Sequence, residues 1–105
     1  MPAWIYLAIA IASEIAATSA LKESDGLRRI GPAVVALLGY GIAFACLARA
    51  LRSIPLGIAY AIWSGVGIAS LTLIGAVVYR QLLSGAQLIG IVAIIGGVAV
   101  LFIAR

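Results

Sequence analysis

Four long apolar runs constrain this chain more than any other feature. They cover about residues 3–21, 32–50, 56–79 and 86–104, which is most of the 105-residue sequence. A helix needs about 20 apolar residues to cross the hydrocarbon core of a bilayer, so each run is long enough for one crossing. Because that core offers no hydrogen-bond partner to an exposed backbone, continuous runs favour helices over open sheets. We therefore predict an all-α membrane protein, with one domain at 1–105 made of four transmembrane helices.

The composition excludes several classes of protein. Hydrophobic residues make up 66% of the chain and charged residues 10%, whereas soluble domains average roughly 45–50% and 25%. One cysteine, Cys46, and no histidine leave no intrachain disulfide and no transition-metal cluster. We expect no metal, no cofactor and no enzyme activity, since no catalytic constellation is recognisable. The basic residues stand at the ends of the runs, which is typical of membrane flanks rather than of nucleic-acid binding.

Local signals mark several turns and helix ends. Gly26 predicts a turn in the first polar stretch, and Pro55 opens the third run. The segment 84–87 has a serine and a glutamine at capping-box spacing, which predicts the start of the fourth helix. Gly65 and Gly67 lie inside the third run and weaken helix rigidity, so we predict a local bend there.

The loop charges bear on orientation in the membrane. With four spans, both termini lie on the same side as the second loop. An excess of Lys and Arg in the cytoplasmic loops sets the orientation. Here the two sides of the membrane carry almost equal numbers of Lys and Arg. We expect insertion in both orientations, and the alternative is a single, weakly specified orientation. The basic residues divide three against four: Arg49, Arg52 and Arg105 against Lys22, Arg28, Arg29 and Arg80.

Glu14 is the one acidic residue within an apolar run. It follows Ala3 by eleven residues and so lies roughly 16 Å deep, near the middle of a core about 30 Å thick. No Lys or Arg lies deep in any run to neutralise it, and an acid inside the membrane indicates function. The alternative is a permanently protonated carboxyl that is hydrogen-bonded to a neighbouring helix. If a proton and an organic cation compete for this carboxyl, the entry of protons can drive the export of the cation.

The neighbours of Glu14 on its helix face are mostly small. Ala10, Ile11, Ala17 and Thr18 lie three or four residues from it and so share its face. Small side chains leave space around the carboxyl, although close helix packing explains Ala10 and Ala17 equally well. Thr18 is placed to donate a hydrogen bond to Glu14.

Three aromatic residues lie well inside the runs. Tyr40, Tyr60 and Trp63 present ring faces that attract cations, and Phe44 shares a face with Tyr40. These residues suit an aromatic cation site. The alternative is a set of packed core aromatics.

The fourth run has spacing that suits a helix contact. Gly90 and Gly97 are seven residues apart, and small residues at such spacing let membrane helices approach closely. Four helices are too few to enclose a cavity for a drug-sized cation, so we expect a homodimer. Copies inserted in opposite orientations would pair antiparallel and form an inverted repeat.

The sequence resembles the small multidrug resistance transporters over nearly its full length. The resemblance rests on Glu14, on Lys22 with Gly26 after it, and above all on residues 55–67, which read Pro-Leu-Gly-Ile-Ala-Tyr-Ala-Ile-Trp-Ser-Gly-Val-Gly. It implies a proton-coupled antiporter of the bacterial inner membrane that works as an antiparallel dimer of four-helix subunits. By position, the glutamate shared by proton and cation would be Glu14.

The resemblance also implies roles for other residues. Substrate binding falls to Tyr40, Tyr60 and Trp63, and cavity lining to Ala10, Ile11, Ala17, Thr18 and Phe44. The helix bend falls to Gly65 and Gly67, and the dimer contact to Gly90 and Gly97.

Two signature positions indicate the branch of the family. Ile58 and Ser64 resemble the quaternary-ammonium branch rather than the guanidinium-exporting branch, which tends toward Thr at both. Ser13 and Ala43 depart from the Ala and Ser common in the multidrug branch, and both departures bear on substrate range. The resemblance thus predicts export of hydrophobic organic cations, with protons, the cation, the lipid bilayer and a second copy as partners. The alternatives are a guanidinium or polyamine exporter, including one half of a heterodimer, or a non-transporting membrane subunit that regulates a larger partner.

Overall fold

The chain folds into four successive α-helices, described for residues 2–104 by a computed structural model. No strand occurs within this range, and every helix is long and apolar enough to cross a membrane. The predicted all-α, four-helix fold is confirmed, and the helix ends lie within about two residues of the predicted spans. A single domain over 1–105 stays a prediction. The helices are α1 Ala3–Glu23, α2 Ile30–Ala50, α3 Leu56–Val78 and α4 Gly85–Ala104.

The helices fall into two compact units, divided after Pro55. The first unit consists of α1 and α2, and the second of α3 and α4. Within each unit, the two helices pack against each other.

Small residues bring α1 and α2 of the first unit close together. Ala10 and Ala17 on α1 and Ala36 and Ala43 on α2 are buried. At Gly39 an added Cβ would lie 2.8 Å from the Cβ of Ala17. The backbones therefore approach as closely as side chains permit, which is how membrane helices gain packing energy.

A compact loop joins α1 to α2. The buried Ser24 donates a hydrogen bond from Oγ to the carbonyl of Leu21 at 2.6 Å, and the same oxygen accepts one from the N–H of Leu27 at 3.1 Å. Gly26 has φ +69°, which confirms the predicted turn. Asp25 and Leu27 on either side also have positive φ.

In the second unit, buried residues lie on α3 and none lies on α4. Gly65 gives α4 room, because a Cβ there would overlap the side chain of Val98. α3 is helical through both Gly65 and Gly67, and the bend stays a prediction. The capping box is confirmed, since Ser84 and Gln87 exchange side-chain to backbone hydrogen bonds of 2.9 and 3.2 Å.

The described Lys and Arg residues of the loop-charge count lie near the ends of these helices. Arg105, one of the residues in that count, lies outside the described residues. Insertion in both orientations stays a prediction.

Candidate functional site

Glu14 lies in the middle of α1 and is hydrogen-bonded within its own helix. Thr18 Oγ1 donates to Glu14 Oε1 at 2.7 Å. The two residues are one turn apart, so the helix itself sets this geometry. The bond predicted from the spacing is confirmed.

A second hydrogen bond extends this pair to α2. Thr18 Oγ1 and the hydroxyl of Tyr40 lie 2.7 Å apart, and either oxygen can be the donor. Sequence reasoning named Tyr40 as an aromatic site residue but did not predict this contact. Spacing within one helix carries no information on the register between two helices, so no signal in the sequence could have found it.

The other carboxylate oxygen of Glu14 is unsatisfied. Glu14 Oε2 is buried, and it has no hydrogen-bond partner among residues 2–104. A buried polar atom without a partner carries an unfavourable desolvation free energy. A proton on the carboxyl, or a cation beside it, would lower the free energy of burying this group, because each neutralises the charge.

Three residues expected to line a cavity around Glu14 are buried on α1. Ala10 and Ala17 have no exposed surface, and Ile11 is nearly as buried. Ala17 lies against Gly39 of α2, so close helix packing, the alternative for this residue, is present. A cavity-lining role for these three residues stays a prediction.

Each unit contains a pair of neighbouring aromatic rings. On α2, the rings of Tyr40 and Phe44 stack with centroids 6.4 Å apart. On α3, the rings of Tyr60 and Trp63 are 6.3 Å apart and tilted by 48°. Trp63 is buried whereas Tyr60 is 63% exposed, so the second pair has one anchored ring and one open ring.

The two glycines predicted to contact a second copy lie on the open surface of α4. A Cβ at Gly90 or at Gly97 would meet no atom of the described chain within 4 Å. No group of three or more His, Cys, Asp or Glu within residues 2–104 could hold a metal ion.

Comparison with known proteins identifies the family. Residues 2–94 match the family described as Small Multidrug Resistance protein. The chain is 46% identical to the quaternary ammonium compound-resistance protein QacE of Escherichia coli and 50% identical to QacF of Klebsiella aerogenes. Each match covers 96% of this chain and 92% of the relative.

A third relative is named for its substrates. The nicotine metabolites export pump subunit NepA of Paenarthrobacter nicotinovorans is 41% identical, over 93% of this chain and 84% of NepA. These relatives are named as resistance and export proteins, not as enzymes. The chain therefore belongs to the small multidrug resistance family, in its quaternary-ammonium and multidrug branch, and is a multi-pass protein of the bacterial inner membrane.

Proposed function

We propose that this protein exports hydrophobic organic cations, including quaternary ammonium compounds, in exchange for protons that compete with the cation for Glu14. The observation that carries this proposal is the carboxyl of Glu14. One oxygen accepts a hydrogen bond from Thr18, and the other is buried without a partner in the described chain. A group in this state is stabilised by whichever positive species reaches it.

The proton and the cation exclude each other from one carboxyl, and this couples proton entry to cation export. A protonated Glu14 is neutral and attracts no cation, whereas a cation beside the carboxylate leaves no room for the proton. If the protein changes its open side only when one of them is bound, a proton entering from outside must precede a cation leaving from inside. The proton gradient then drives export.

The hydrogen bonds around Glu14 suit a group that changes protonation. The Thr18 hydroxyl donates to the carboxylate and lies 2.7 Å from the Tyr40 hydroxyl. Hydroxyl groups rotate and can both donate and accept hydrogen bonds. The hydrogen bonds from Glu14 through Thr18 to Tyr40 can therefore adjust to either charge state of the carboxyl without displacing a helix. Thr18 and Tyr40 are proposed as positioning residues for the carboxyl.

Aromatic rings supply the affinity for a bulky cation. A cation within about 6 Å of a ring centroid is attracted by the π face, and Tyr40, Tyr60 and Trp63 are the proposed binding residues. The open ring of Tyr60 and the exposed Phe44 leave apolar surface for large substrates. The names QacE and QacF, which refer to resistance to quaternary ammonium compounds, support this substrate class.

The proposed transporter is an antiparallel homodimer. No described residue of α4 is buried, and Gly90 and Gly97 leave room for a neighbouring helix. The near-even loop charges support insertion in both orientations. A heterodimer is a second candidate, favoured by the word subunit in the name of NepA.

Proton release on substrate binding tests this function. Purified protein at a pH near neutrality is mixed with benzalkonium or with guanidinium, and released protons are measured with a pH indicator dye. We expect benzalkonium to release protons from the wild type and none from Glu14→Gln. Glu23→Gln, which alters an exposed acid outside the apolar run, is the matched control and should behave as the wild type.

The other outcomes decide between the alternatives. Release by guanidinium alone would assign the protein to guanidinium export. Release by neither cation would contradict a shared site on Glu14 and favour a regulatory subunit. Release that persists in Glu14→Gln would place the exchanging proton elsewhere.

A further inference from the structure

A cavity distinct from the Glu14 site lies in the first unit, where α1 begins and α2 ends. Its volume is about 360 Å³. Tyr6, its lining residue nearest to Glu14 in sequence, precedes Glu14 by eight residues, or about 12 Å along the helix axis. The cavity is lined by Ala3, Tyr6, Arg49, Arg52 and Ser53.

The backbone after α2 keeps the polar lining residues together. The N–H of Arg52 donates to the carbonyl of Arg49 at 3.2 Å, and the N–H of Ser53 donates to that of Ala50 at 3.1 Å. These bonds continue the helical winding past the last residue of α2. Residues 49, 52 and 53 therefore keep the i, i+3 and i+4 relation that places side chains on one face.

Tyr6 makes a cation–π contact with Arg49, one of the two arginines of the cavity. The guanidinium carbon of Arg49 lies 5.9 Å from the centroid of the Tyr6 ring. Such a cation–π contact stabilises the position of the guanidinium, whose edge carries the N–H groups that bind oxyanions in a fork. Tyr6 thus presents Arg49 to the cavity as an ordered donor.

No acidic side chain neutralises this end of the first unit. The chain has three acids: Glu14 lies mid-helix, and Glu23 and Asp25 lie at and beyond the opposite end of α1. The positive end of the α1 dipole adds to the charge of the two arginines. The negative end of α2 is weakened, because the carbonyls of residues 47, 49 and 50 accept hydrogen bonds from the turn that follows.

We infer that this cavity binds the phosphate of an anionic phospholipid headgroup. Arg49 and Arg52 donate hydrogen bonds to the phosphate oxygens, and the hydroxyl of Ser53 adds another. Paired guanidinium groups are strong donors to phosphate. Both arginines stand at the end of a membrane-spanning helix, which is where headgroups lie and where basic side chains attract anionic lipids. Free inorganic phosphate has the same chemistry, so the test separates the two sources.

The test counts lipids retained by the full-length chain in detergent by native mass spectrometry. The probes are dioleoylphosphatidylglycerol, which is anionic, and dioleoylphosphatidylcholine, which has the same phosphate but no net charge. We expect the wild type to retain the anionic lipid at least about tenfold better. The double variant Arg49→Gln/Arg52→Gln should lose this preference.

The matched control is Arg28→Gln/Arg80→Gln, which removes the same charge from two exposed arginines outside the cavity. It should retain the preference of the wild type. An equal loss in both double variants would overturn the proposal, because it would indicate diffuse attraction to positive charge. Equal retention of the two lipids by the wild type would also overturn it.

A competition arm separates the lipid from free phosphate. Millimolar inorganic phosphate should leave the bound lipid in place, since the acyl chains add to its affinity. Displacement of the lipid would make this a free-phosphate site and overturn the lipid assignment. If circular dichroism shows that the double variant does not fold, the single variants Arg49→Gln and Arg52→Gln give the same test, each with a partial loss.

Discussion

The two helix pairs of this protein are built in different ways. In the first unit, α1 and α2 contact each other along their length, and their small residues are buried. In the second unit, α3 and α4 contact each other much less, and no described residue of α4 is buried. The first pair thus buries residues of both its helices, whereas the second pair buries described residues of α3 alone. The buried carboxyl of Glu14 thus lies in the more closely packed of the two pairs.

The largest expected effect is on the close contact in the first unit. Gly39→Ala places a Cβ 2.8 Å from the Cβ of Ala17 and 3.3 Å from backbone atoms, so it should destabilise the fold by about 1–3 kcal/mol. Denaturant titration in micelles, followed by circular dichroism, measures this change. Gly41→Ala, which adds a Cβ in open space, is the control and should not destabilise. If Ala17→Gly restores none of the stability lost in Gly39→Ala, the contact between the two Cβ atoms is not the cause.

The same kind of change in the second unit should affect assembly instead of folding. Gly90→Leu and Gly97→Leu add side chains where the described chain has no neighbour. We expect unchanged helicity but dimerisation weaker by about tenfold, or 1.4 kcal/mol. Energy transfer between labelled copies in vesicles measures it. Val92→Leu, on the opposite side of α4, should dimerise as the wild type does, and equal weakening in all three variants would contradict a specific glycine face.

A smaller effect is expected from the hydrogen-bonded chain in the first unit. Tyr40→Phe removes the hydroxyl that lies 2.7 Å from Thr18 Oγ1 and keeps the ring. Since a hydrogen bond contributes about 0.5–1.5 kcal/mol, transport should fall by roughly 3- to 10-fold. Cation uptake into inside-out vesicles measures the rate. Tyr79→Phe is the control, and an equal fall there would mean that the loss does not depend on the contact with Thr18.

The smallest effect is expected at an exposed ion pair of the first unit. Arg29 Nη1 lies 3.8 Å from Glu23 Oε2, and both side chains are at least half exposed. Glu23→Gln should change stability by less than about 1 kcal/mol, because solvent and salt screen such pairs. Denaturation at low and high salt measures the change. A larger loss would show that the loop, rather than the Ala17 and Gly39 contact, holds α1 to α2.

The sequence predicted what depends on one helix at a time. Apolar run length fixed the helix ends, and the four-residue spacing of Glu14 and Thr18 fixed their hydrogen bond. The capping box at Ser84 and Gln87 was likewise local, since a helix start is set by its own first turn.

The residue pairs that meet between neighbouring helices of the chain were not predicted. The meeting of Thr18 with Tyr40, and of Ala17 with Gly39, depends on how two helices are rotated and shifted against each other. Many registers are compatible with the same apolar pattern, because most of the surface of each helix is apolar. The arginine cavity at the start of α1 went unpredicted for the same reason, although Arg49 and Arg52 were visible as a pair.

The short loops have a consequence for how the protein is made. Only residues 24–29 join α1 to α2, and only residues 79–84 join α3 to α4. The contacts within each pair therefore connect segments that are near in sequence, and low contact order gives rapid folding. Since chains fold from the amino terminus during synthesis, α1 and α2 can pack against each other before α3 has left the ribosome. The hydrogen bonds of the carboxyl can then form while α3 and α4 are still being made.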